Sequence, residues 1–215
     1  SFAVFDPGMI SGAYLAGRAA SDRETLLLVR DQATTESLES VLGGIYVNSV
    51  AVAIRRAVDA CDWVGRPLYG GLRDREWPER PVGQLWHGCE VLREYRGDSH
   101  VAVCVERGVG PIEMNVLTEL WLGMPLGTYS ATRGWTEEQL GAAVAGLIEG
   151  GLVEGVTLTS SGRAFRQEIE EATDQLCVPI TEAIPERLVD QLDHWSSSCV
   201  AAGAFPPDVF KRAAG

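Results

Sequence analysis

The densest polar chemistry of the chain lies between residues 87 and 100, in His87, Glu90, Arg93, Glu94, Arg96, Asp98 and His100. Two of the three histidines fall within it. On a helix, His87, Glu90 and Glu94 are spaced i, i+3, i+7 and share a face. If Arg96-Gly97-Asp98 closes one helix and Asp98 caps the next, His87 and His100 converge near Glu94. Three chemistries fit such an arrangement. The plainest is structural: Glu94 and Asp98 pair with Arg93 and Arg96 at a tight helix–helix corner, and His87 packs beside Trp86. The second is the polar floor of a ligand cavity, where His and Arg orient an anionic or phenolic ligand beside aromatic walls. The binding candidates are Trp86, Glu90, Arg93, Arg96, Asp98, Glu119 and Trp121. The third is general acid–base catalysis by His87 or His100 with Glu94. No HExxH-like spacing accompanies the two histidines, so no metal site is assigned.

Glu119 interrupts an apolar run from Leu117 to Met124. An acid there is either exposed on a polar face or buried for a purpose. Trp86 and Trp121 belong to a set of six tryptophans that wall a pocket or pack as ordinary core. No nucleophile elbow, Walker loop or dinucleotide fingerprint is present, and no cofactor is expected. The five cysteines contain no CxxC pair. They read as reduced, partly buried thiols of a cytoplasmic protein.

Thirty acids against 18 bases give a net charge of −12. Residues 1–110 hold 15 acids and 12 bases; residues 111–215 hold 15 acids and 6 bases. A nucleic-acid partner of the second half would have to overcome that field. No apolar run approaches the ~20 residues of a membrane helix.

The elements that must position these groups read as mostly helical. Asp6-Pro7 starts a helix to Ala20. Thr34-Thr35 opens a second, acidic in its first turn, with Gly43-Gly44 as a break. Residues 45–63 favour helix, and residues 64–82 a loop-rich connection. A helix from about Val82 to Tyr95 ends at Arg96-Gly97-Asp98, and another covers roughly 99–107. Pro111 starts a helix through Trp121. From Thr136 a helical stripe of Leu140, Val144, Leu147 and Ile148 runs to Gly150-Gly151. Two short strands around Gly155 follow, then a helix capped by Thr159. Leu188 to Val200 reads as one more helix.

Helix, glycine turn, two strands and helix make the second half of a winged helix-turn-helix. Gly151-Leu152-Val153 and Leu158-Thr159-Ser160-Ser161-Gly162-Arg163 resemble the MarR-type regulators. The runs Leu85-Trp86-His87-Gly88-Cys89-Glu90 through Ala102 and Leu117 through Pro125 resemble an actinobacterial helix-turn-helix family with a helical N-terminal part and a MarR-like C-terminal part. The resemblance covers about residues 82–203 and implies a fold without an activity. It implies a helical domain over 1–109, a winged-helix domain over 110–178, and a C-terminal helix and tail over 179–215.

DNA reading needs cations and amides at the recognition helix. The segment 136–150 has no Lys or Arg, only Gln139 among base readers, and the wing Glu154-Gly155-Val156-Thr157 is equally bare. Nucleic acid is therefore not the expected partner. The expectation is a mostly α, homodimeric protein that binds a small molecule between its helical and winged-helix parts. The alternatives are a cofactor-independent hydrolase, cyclase or isomerase using His and Glu, and a MarR-type transcriptional regulator.

Overall fold

A computed structural model describes residues 4–205. The chain is mostly α with a small β wing, as its sequence patterning implies. The helices are α1 (Pro7–Ala20), α2 (Arg23–Leu42), α3 (Asn48–Ala60), α4 (Pro67–Arg73), α5 (Pro81–Glu106) and α6 (Pro111–Leu122). A 3₁₀ turn (Ser130–Arg133) precedes α7 (Glu137–Glu149). Strands β1 (Val153–Glu154) and β2 (Thr157–Leu158) follow, then α8 (Ser160–Leu176), α9 (Val178–Ala183) and α10 (Glu186–Ala201). The strands pair antiparallel, Val153 opposite Leu158 and Glu154 opposite Thr157.

Two compact units result. Among the described residues, one comprises 4–20 and 100–172; the other comprises 21–99 and 173–205. The second unit has a core of Val50, Ile54 and Val58 from α3, Val91 and Tyr95 from α5, and Leu188 and Trp195 from α10. The first is built on Val116, Leu117 and Leu120 of α6, Leu147 of α7, Val153 and Leu158 of the wing, and Ile169 of α8.

Local chemistry explains where the elements start and stop. Asp6 Oδ1 accepts the Met9 amide at 2.9 Å and caps α1. Thr136 and Gln139 form a full capping box on α7. The Thr159 hydroxyl accepts the Gly162 amide at 2.9 Å at the head of α8. Gly162 itself is required: a Cβ there would stand 1.9 Å from the Leu152 carbonyl oxygen.

Three sequence expectations are corrected. First, α2 begins at Arg23 and not near Thr34, because Asp22 caps it, accepting the Thr25 amide at 2.8 Å. Thr34 and Thr35 sit mid-helix, their hydroxyls donating to the Arg30 and Asp31 carbonyls at 2.7 Å. Second, residues 67–73 of the supposed connection are helical, with Pro67 in the first turn. Third, Arg96-Gly97-Asp98 ends nothing: α5 runs unbroken through it to Glu106. Asp98 serves a different helix, its carboxylate accepting the Tyr69 amide of α4 at 2.9 Å.

Candidate functional site

The helix in the recognition position, α7, exposes Glu137, Glu138, Gly141, Ala142, Ala145, Gly146, Ile148 and Glu149. Neither it nor the wing turn from Glu154 to Thr157 carries a Lys or Arg. Gln139 is already engaged, its side-chain oxygen accepting the Thr136 amide at 3.0 Å. Phosphate contact needs cations that this face does not present, and the Gln139 amide nitrogen is the one base-reading side-chain donor on α7.

Continuity of α5 also undoes the convergence of the two histidines. Thirteen residues along one α-helix separate His87 from His100 by about 20 Å of rise. They do not meet near Glu94. The polar run is distributed along the helix instead. Arg93, largely exposed, pairs with Glu94 at 2.5 Å. Arg96 reaches Asp174 at 3.5 Å. Trp86 is 37% exposed, and the aromatic ring set edge-on against His87 is that of Trp77. Asp98 is buried as the α4 cap. Arg66 stacks over Tyr95 at 4.1 Å, and Tyr95 meets Tyr69 edge-on at 5.0 Å, which completes an architectural corner.

Glu119 is fully buried, with a plain reason. One carboxylate oxygen accepts the Tyr129 and Ser130 amides at 2.6 and 2.8 Å, and the other accepts the Gly127 amide at 2.8 Å. It gathers three backbone donors where the chain turns into the 3₁₀ segment. The Arg166 guanidinium lies 5.9 Å from the centre of the Trp121 ring in the same unit and pairs with Glu170.

His87 and Glu90 stay together and gain partners that the sequence order conceals. Arg30 of α2 donates to Glu90 Oε1. Its neighbour Asp31 accepts from Arg75 at 2.8 Å, and the Arg75 side chain is only 8% exposed. Trp77, held between Arg55 at 3.9 Å and the helix, meets the His87 ring edge-on at 4.8 Å. Two buried glycines of α5 let these walls come close. A Cβ at Gly83 would meet Thr35 Oγ1 at 2.6 Å, and one at Gly88 would meet Ile54 at 2.5 Å and Trp77 at 3.4 Å.

The polar atoms of this cluster are incompletely satisfied. His87 is 1% exposed, and neither ring nitrogen has a hydrogen-bond partner. Its Nδ1 stands 3.9 Å from Glu90 Oε2, beyond hydrogen-bond distance, and that oxygen is also buried and unpartnered. Burial alone pushes the Glu90 carboxyl up. The imidazole beside it and the Arg30 guanidinium outweigh this and hold it down at about 2. Glu90 is therefore an ionised acceptor throughout the neutral range, with one oxygen committed and one open. Nothing local in the sequence signals Arg30 or Trp77, which lie 60 and 10 positions from Glu90 and His87, the residues they serve.

Beside the cluster, a groove of about 890 Å³ runs between α2 and residues 71–80, with Trp77, Leu27 and Leu28 in its wall. Among the described residues, no three His, Cys, Asp or Glu are grouped to hold an ion. Burial pushes the Cys61, Cys89 and Cys104 thiols up to about 11, so they are poor nucleophiles and ligands. No helix among the described residues is long and apolar enough to cross a membrane.

A helical body joined to helix, 3₁₀ turn, helix, two-stranded wing and helix defines the class as a helix-turn-helix protein. The chain belongs to the Helix-turn-helix family, whose model matches residues 1–206. No curated protein and no solved structure matches it.

Proposed function

We propose that this chain is a small-molecule-binding member of its family, and that residues 110–178 form a MarR-like winged-helix module that does not read DNA. The ligand's polar group is taken by His87 and Glu90 beneath Trp77, within the unit of residues 21–99 and 173–205. The observation that carries the reading is the His87 imidazole, 1% exposed with both nitrogens unpartnered, beside an equally unpartnered Glu90 Oε2. Buried polar groups are nearly always hydrogen-bonded. Each left unpaired costs about 1–3 kcal/mol, a cost that a bound polar group removes. Three buried, unpartnered polar atoms thus meet at His87 and Glu90 in the helical unit, whereas the α7 face offers carboxylates to a polyanion.

Native mass spectrometry of the purified protein, with imidazole NMR during a fragment screen, tests this. The expected result is a small molecule, co-purified or from the screen, that shifts the His87 resonances and is lost in His87→Leu. Failure of every fragment to move those resonances would overturn the site. A mixed-sequence DNA duplex should leave the protein unbound at low salt. Binding that weakens steeply with added salt would overturn the second half of the reading.

A further inference from the structure

We infer that the ligand of this site is an organic cation, a primary amine or amidine on an apolar body. The inference rests on the His87–Glu90 reading above and names its ligand class. The open capacity of the cluster is specific. Glu90 Oε2 is an ionised acceptor with nothing bound to it, and His87 Nδ1 stands 3.9 Å away. In a neutral imidazole one ring nitrogen accepts. A head group with two or more N–H donors satisfies the carboxylate and that nitrogen together. A carboxylate or phosphate head would put two anions face to face. Charge-assisted N–H donation to a carboxylate is about twice as strong as its neutral counterpart.

The groove extends the same preference. Glu24, Asp31, Glu36, Asp74, Glu76 and Glu79 line it, against Arg23, Arg75 and Arg80. Arg75 and Asp31 neutralise each other and Arg80 is paired with Glu39, which leaves five lining carboxylates against Arg23. The groove therefore presents a negative field to an approaching solute, and the chain as a whole carries −12. Its apolar wall of Trp77, Leu27 and Leu28 suits a hydrocarbon or aromatic body. Trp77 joins the two parts, since it lines the groove and touches the His87 ring.

Three probes that share a 2-phenylethyl body separate the classes: 2-phenylethylamine, 2-phenylethanol and 3-phenylpropanoate. Binding is read from the Trp77 indole N–H and His87 ring signals by NMR, with Trp77→Phe and His87→Leu giving the assignments. The amine is expected to bind at least about tenfold more tightly than the alcohol, with the carboxylate weakest. The paired change Asp74→Asn with Glu76→Gln, both exposed in the groove wall, should weaken the amine a few-fold and leave the alcohol unchanged. An alcohol equal to the amine, or a tighter carboxylate, would overturn the ligand class while leaving the site intact. An amine that leaves the Trp77 and His87 signals unmoved at millimolar concentration also overturns the class. Whether the site itself survives is then read separately, from the fragment screen.

Discussion

Glu90 shows how one side chain acquires its properties from residues far along the chain. A glutamate with an ordinary value of 4.5 is held at about 2. Burial works against this, and Arg30 and His87 overcome it. A folded-state value below the unfolded one means that ionised Glu90 stabilises the fold at any pH above about 4.5. That contribution fades as pH falls from 4.5 toward 2 and the carboxyl takes its proton in the folded state. Urea unfolding of wild type and Glu90→Gln between pH 2 and 6 measures it. The stability gap should be constant above about pH 5 and close toward pH 2. A gap of the same size across the whole range would mean that the carboxylate charge contributes nothing. His87 and Glu90 were visible as a chemically suggestive pair because they lie one helical turn apart. Arg30 was not, because an ion pair bridging 60 residues leaves no local trace. The same limit hid the role of Asp98, whose partner is the amide of Tyr69 on another helix.

At the scale of elements, Gly97 separates local appearance from outcome. Gly-Asp after a helical run matches the pattern of a helix end followed by a new cap. Here the helix continues, because Tyr95, Ser99 and Val103 extend the buried face of α5 past the glycine and packing overrides the local signal. A glycine inside a helix costs about 0.5–1 kcal/mol relative to alanine. A Cβ at Gly97 would meet only the flexible end of Glu94, at 3.3 Å. Gly97→Ala is therefore expected to stabilise the protein by about 0.5 kcal/mol in chemical denaturation. A clear loss of stability would instead point to a helix end at this position. The winged-helix elements were legible for the converse reason. Their signals are local: the capping box at Thr136, the left-handed Gly151 and Gly155, and the Thr159 cap all act within a few residues. The 3₁₀ turn was not legible, because three amides gathered by Glu119 organise it from another helix.

Charge is the property that belongs to the whole molecule. The excess of acid is concentrated after residue 110, at 15 carboxylates to 6 bases. Within that region the exposed surface of α7 and the wing turn carries Glu137, Glu138, Glu149 and Glu154 with no cation among them. Glu149 even stands in the last turn of α7, where the helix dipole disfavours an anion by about 0.3–1 kcal/mol. Like charges at this density repel one another in the folded state more than in the expanded chain. Salt screens exposed charges over about 10 Å at 0.1 M, whereas pairs such as Arg75–Asp31, largely withdrawn from solvent, are screened much less. Added sodium chloride should therefore relieve more repulsion than the attraction it weakens. Thermal melts followed by circular dichroism are expected to show the midpoint rising by about 2 °C between 10 and 150 mM salt, corresponding to somewhat under 1 kcal/mol in a chain of this size. A falling midpoint would mean that exposed ion pairs, not the acidic excess, dominate the electrostatics of the fold. The same surplus is arrayed on the helix that would have to approach phosphates, where its field repels a polyanion.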